Sequence, residues 1–194
     1  MPRTYTTLVS DVVTKTRIIT NDLTQTYRAS DAEIIGWLND CLSTVVAILP
    51  QLFVVEGTHT CVAGARQTLA NDRAHSLVEV SGVPYADYAA MSAFMPTWKT
   101  VASGTIQNWL RSTTEPLDFF TYPQQAGGEV LPILYVESPV KLTLTTDVIP
   151  LPETYEPALV AYCVGMVESK DDQHVNSGRA AQHMTDFAAR IKGG

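Results

Sequence analysis

His59 and Cys61 are the residues whose types and spacing come nearest to a reactive pair. Two apart on an expected strand, Thr58 to Val62, they share one face, as a Cys–His nucleophile pair or half of a metal site requires. No CxxC, HExxH or second metal-spaced pair accompanies them, so ordinary strand residues are the better reading. Glu168, Asp171 and Asp172 gather between two expected helices and could face a hard cation. They lack the glycine and ligand periodicity of a calcium loop, and a solvated turn that includes Lys170 fits better. The runs Val62-Ala63-Gly64-Ala65 and Ala126-Gly127-Gly128 match neither phosphate-binding glycine pattern. No GxSxG elbow is present, and His59, His75, His174 and His183 sit beside no nucleophile motif. No catalytic residue, cofactor or metal is expected.

Composition narrows the class of function. The 194 residues are 45% hydrophobic and 17% charged, which describes a soluble folded protein large enough for a hydrophobic core. Twenty acidic against 13 basic residues give a net charge of −7, which disfavours nucleic-acid binding. The charge is −1 over residues 1–50, −4 over 51–150 and −2 over 151–194, so no segment is a basic arm or an acidic tail. Cys41, Cys61 and Cys163, an odd number widely spaced, fit reduced thiols in a cytosolic compartment. No signal peptide or membrane anchor is expected. Trp37, Trp98 and Trp109, with Phe119, Phe120, Tyr122 and Tyr135, could form a stacking or sugar-binding platform, but they lack flanking Lys or Arg and read as core.

The elements that must position these residues fall into three sections. In residues 1–50, Ser30-Asp31-Ala32-Glu33 is a capping box. It starts a helix whose stripe Ile34, Leu38, Cys41, Leu42, Val45, Val46 and Leu49 stops at Pro50. A shorter helix is expected over Thr7 to Ile19, and a loop over Asn21 to Ala29. Residues 51–150 turn to short alternating runs punctuated by Gly and Pro. Strands are expected at Thr58 to Val62, Ser76 to Val80, Leu117 to Tyr122, Val130 to Val136 and Val140 to Thr145, with a short helix at Asp87 to Phe94. Residues 151–194 return to helix at Glu153 to Glu168 and at about Gln173 to Ile191. The expected fold is α+β: a helical bundle built from the N- and C-terminal helices (1–50 and 151–194), with an antiparallel β section, a small sheet or sandwich, inserted at 51–150.

The order of the pieces carries a resemblance. Asp31 to Asp40, continuing to Ala47-Ile48-Leu49-Pro50, resembles the early helix of the tailed-bacteriophage head-to-tail adaptors, or connectors. Ala63 to Leu69 with Leu77 to Val80, then Pro96-Thr97-Trp98, then Pro116 to Pro123, follow collinearly. The run from Ile149 to Val160, through Glu168-Ser169-Lys170-Asp171 to Arg179-Ala180-Ala181, completes the likeness over nearly the whole chain. The resemblance implies a non-enzymatic virion protein, made in the host cytoplasm. Such a protein forms a ring, commonly twelvefold, in the neck beneath the portal protein, and extends the DNA channel towards a tail or nozzle protein. It also implies a helical body that packs subunits and faces the portal, and a β section directed outwards or tailward. Only Lys192-Gly193-Gly194 follows the last expected helix, so no long C-terminal arm is expected. An acidic lumen, with some Asp and Glu from residues 51–194 facing it, would let DNA pass without specific binding. Lys170, Asp172 and Arg179 are the candidate interface residues.

Two alternatives stand beside this reading: a neck or tail-completion protein further from the portal, and a monomeric β-domain module for ligands or glycans. A hydrolase using Cys61 and His59 or the carboxylates ranks last.

Overall fold

Apolar residues recur at helical spacing near both ends of the chain, and those segments fold against each other. The computed structural model describes residues 5–24, 27–170 and 175–193. The chain divides into two units, Met1–Leu49 with Pro139–Gly194, and Pro50–Ser138.

The first unit holds helices α1 (Val9–Thr20), α2 (Asp31–Ile48), α4 (Glu156–Ser169) and α5 (Ser177–Lys192). Ser30 and Glu33 form the expected capping box, with Glu33 N donating to Ser30 Oγ at 3.2 Å and Ser30 N to Glu33 Oε2 at 2.8 Å. The apolar stripe of α2 is buried from Ile34 to Val46. Helix α4 is the centre of the unit, buried on most of its circumference, as a helix with apolar residues all round must be. Pro157 stands in its first turn, where no backbone N–H is missed. Gly165 lets α5 come close, since a Cβ there would lie 3.1 Å from the Met184 terminal methyl and 3.4 Å from the Ala180 carbonyl. Helix α5 buries Ala180, Phe187 and Ile191, and the Phe187 ring meets Tyr162 edge-on at 5.1 Å.

The start of α5 differs from expectation, because Val175 is exposed and the helix begins at Ser177, capped by Asn176. Gln173 and His174, placed on this helix by the sequence, lie outside the described residues.

The second unit contains β1 (Val54–Thr60), β2 (Gly64–Thr68), β3 (Ala74–Val80), α3 (Tyr88–Phe94), β4 (Asn108–Arg111), β5 (Asp118–Gln125) and β6 (Val130–Glu137). They form two antiparallel three-stranded sheets, ordered β1-β6-β3 and β2-β5-β4. The fold is therefore α+β. A shared core of Leu77, Val80, Trp109, Phe119, Leu131 and Ile133 joins the sheets. Two strands, β2 and β4, go unseen in the sequence. They are four or five residues long and carry no apolar/polar alternation, and pairing with β5 rather than local preference makes them strands.

The expected strand at Val140 to Thr145 is absent, and residues 139–150, assigned to the β section by sequence, belong with the helices. Neighbouring side chains take up the backbone of its first half, and the backbone of residues 7–10 takes up that of 145–149, with a bridge between Leu8 and Val148. Asn39 Nδ2 donates to the Leu142 carbonyl at 3.0 Å and Asn39 Oδ1 accepts Leu142 N at 2.9 Å, so one carboxamide replaces a partner strand. Asp147 accepts the amides of Thr143 and Leu144 at 2.7 and 2.8 Å.

Candidate functional site

His59 and Cys61 do not form a nucleophile pair. The His59 ring is buried, with Nε2 3.3 Å from Gln67 Oε1 and the Phe119 ring edge-on at 5.1 Å. Cys61 lies just beyond β1, where burial, with the nearby Glu129 carboxylate, pushes its thiol up to about 11. It is a neutral thiol at physiological pH and a poor nucleophile. Burial also pushes Cys41 up to about 12 and Cys163 well above the ordinary range, and all three cysteines are free. The polar residue that organises this corner is Gln67, which the sequence reading passes over. Its carboxamide accepts Val62 N at 2.8 Å and donates to the Val62 and Gly64 carbonyls at 3.0 and 3.1 Å. It closes the β1–β2 turn, and no motif marks such a role.

The aromatic residues are mostly interior. Trp98, Trp109 and Phe119 are buried, and Trp98 packs edge-on against Phe120 at 5.6 Å. Lys99 is the cation that this group of rings holds, with Nζ 4.9 Å from the Tyr88 and Phe120 centroids and 5.4 Å from Trp98. Trp98 and Trp109, being buried, present no platform to a sugar or a base, and Trp37, on α2, is half-buried.

Of the carboxylate cluster, Glu168 stands in an ionic knot in the helical unit. Glu168, only 2% exposed, has Oε1 3.1 Å from Arg179 Nη1 and Oε2 3.9 Å from Arg28 Nη1. Its own carbonyl accepts Asn176 N at 2.9 Å. Lys170 Nζ lies 2.8 Å from Glu33 Oε1 and also donates to the Arg28 carbonyl. The Lys170 ammonium, with the Ser30 amide and hydroxyl, holds the Glu33 carboxyl at about 2. Arg17 continues the network to Asp22, Asp31 and the Tyr27 ring. The knot ties the end of α1, the start of α2, the end of α4 and the start of α5. Lys170 and Arg179 thus have their charged heads engaged within the unit. Asp172 and Asp171 lie outside the described residues, as does His174. Among the described residues no three His, Cys, Asp or Glu side chains gather to hold a metal ion.

An open groove of about 550 Å³ runs between α1, α4 and α5. Its apolar wall includes Ile18, Ile19, Val160 and Val164, and its rim carries the Lys15–Glu156 ion pair and Arg190. Ile18 is 60% and Ile19 43% exposed, so the groove is one apolar surface that the helical unit leaves open. Helix α1 turns Val9, Val12 and Val13 inward and sets Ile19 on the groove.

The described side chains of these regions pack, pair and expose apolar surface. A sequence family described as SU10 adaptor protein matches residues 3–193. The chain belongs to this phage head-to-tail adaptor family. No curated protein matches the chain. As an adaptor it is a bacteriophage structural protein and a virion component. Among the described residues no helix is long and apolar enough to cross a membrane.

Proposed function

We propose that this adaptor forms a homo-oligomeric ring, twelvefold, beneath the portal protein in the virion neck, where it extends the DNA channel and offers a tail or nozzle protein its attachment. The observation that carries the reading is the family match over residues 3–193, which spans both units. The open groove on α1, α4 and α5 supports it, because an assembly protein needs apolar surface left for partners. Ring symmetry multiplies shallow contacts of this kind into a stable layer. The net charge of −7 suits a conduit: carboxylates from residues 51–194 facing the lumen would not capture phosphates, and DNA would pass without specific binding. The chain is made in the host cytoplasm, where its three free cysteines stay reduced. It does no catalysis in this role.

Purified chain mixed with intact portal rings and imaged by negative-stain microscopy tests the reading. An added ring layer is expected. Its absence, with binding to a tail component instead, assigns the protein to a layer further from the portal. A lumen lined mainly by Lys and Arg would overturn the reading of the acidity.

A further inference from the structure

The two sheets of the Pro50–Ser138 unit have four edges, and three of them are closed or short. On β3, the Leu77 amide donates to the Pro116 carbonyl at 3.1 Å, and Arg111 Nη2 donates to the Leu77 and Val78 carbonyls at 3.0 and 3.1 Å. The pairing of β3 also shifts register twice. On β4, Trp109 N donates to the Pro84 carbonyl at 3.0 Å and its own carbonyl accepts Ala86 N at 2.9 Å. The β2 edge is five residues long and is interrupted by a register shift between Gly64 and Arg66. Capping, bulges and shortness are the means by which proteins protect sheet edges from further pairing.

Strand β1 has none of these devices. It pairs with β6 one to one from Val54↔Val136 to Thr60↔Val130, seven residues without a shift. The Cys61 amide donates to the Glu129 carbonyl at 2.7 Å, which sets the parity of the ladder. Residues 55, 57 and 59 therefore direct their backbone groups to β6, and residues 54, 56, 58 and 60 direct theirs outward. Among the described residues, none of these outward N–H and C=O groups has a protein partner. The side chains of Val54, Glu56, Thr58 and Thr60 are all exposed. They are β-branched except for Glu56, which suits strand pairing.

We propose that the outer edge of β1 is a strand-addition site that takes an extended arm of another polypeptide of the virion neck, with a Lys or Arg of that arm facing Glu56. The proposal rests on the adaptor reading only in taking the partner from the neck. The unit has four basic and eight acidic residues between positions 50 and 138, a net charge of −4, so a basic arm is the complementary one. A neighbouring copy in a ring is a poor donor. Edge-to-edge pairing head to tail needs a second, different free edge on the same chain, yet β3 and β4 are capped and β2 is short. Pairing of β1 with β1 across a twofold would close a dimer and stop there. Backbone hydrogen bonds would supply the register and Glu56 the choice of side chain.

Amide exchange on the wild-type chain is the direct test. In the free protein the amides of Glu56, Thr58 and Thr60 should exchange readily while those of Gly57 and His59 are protected. In purified phage particles the first three should slow by about 100-fold or more. Thr58→Pro removes one outward N–H and leaves the β6 ladder intact. It should keep the free chain's circular dichroism and thermal midpoint, yet lower infectious titre by about 100-fold, while Thr58→Val, which keeps the N–H, should not. Unchanged exchange in particles that contain the chain overturns the proposal, as does normal titre for a folded Thr58→Pro. Protection that grows with concentration of the free chain alone overturns the choice of partner in favour of a second copy. Particles without the chain in the neck would instead refute the adaptor reading.

Discussion

Glu33 and Lys170 join the start of α2 to the end of α4, and this pair gives the protein a pH dependence with a definite sign. The Glu33 carboxyl is held at about 2 in the folded chain against an ordinary 4.5. Its contribution to stability is therefore complete above pH 4.5 and lost as pH falls from 4.5 through 2. Because the Glu33 side chain is 43% exposed, solvent screening keeps that loss below about 1 kcal/mol. Urea midpoints measured across this window should fall less steeply for Glu33→Gln than for the wild type. Glu168 is the more costly residue to remove. It lies between Arg28 and Arg179, and truncation leaves like charges facing each other in a largely buried place. Glu168→Ala should lose about 2–4 kcal/mol in equilibrium denaturation, the lower half of the range if Arg179 swings into solvent. The sequence shows Glu168, Lys170 and Arg179 as charges near a helix junction, and it gives no sign that they close on Arg28 and Glu33 more than 130 positions away. That separation is why these pairings are not legible in the sequence.

Strand β1 shows what an element owes to its neighbour. Gly57 stands where a Cβ would lie 2.8 Å from Tyr135 Cε1 on β6. The ring occupies the space over the glycine and cannot swing away cheaply, since Asn71 Nδ2 donates to its hydroxyl at 3.0 Å. Gly57→Ala should cost about 1–3 kcal/mol despite the better strand propensity of alanine, measured by the urea midpoint of the full chain. At the other extreme, α2 is specified almost wholly by its own residues. Ser30→Ala should lose about 1 kcal/mol by the same measurement, because it removes the acceptor of the Glu33 amide. The long helices were legible because their caps and 3.6-residue stripes are local. Strands β2 and β4, and the loss of a strand at Val140 to Thr145, were not, because a strand exists only where a partner does. For residues 140–145 the partners are instead the side chains of Asn39, at Leu142, and Asp147, at Thr143 and Leu144, with the Ser10 amide at the Thr145 carbonyl.

The whole molecule is built from two units of different connectivity. The β unit is one continuous stretch, Pro50–Ser138, and its ends meet where Val54 pairs with Val136. Expressed as a fragment, residues 50–138 should fold alone, with a dispersed amide spectrum and a cooperative thermal transition. A fragment of residues 1–49 should not, because α1 and α2 pack on α4, which arrives from the other end of the chain. Sequence alone determined the α+β class, the helices with local start and stop signals, the acidic balance and the collinear likeness to phage adaptors. Each of these is a property of neighbours along the chain or of summed composition. Only the tertiary structure decided that Glu168, Lys170 and Arg179 join an internal knot, that Ile18 and Ile19 border an open groove, and that among the described strands β1 alone keeps a long free edge. Those outcomes depend on which distant groups satisfy one another, and hydrogen bonds, ion pairs and strand edges are settled by proximity in space rather than by order along the chain.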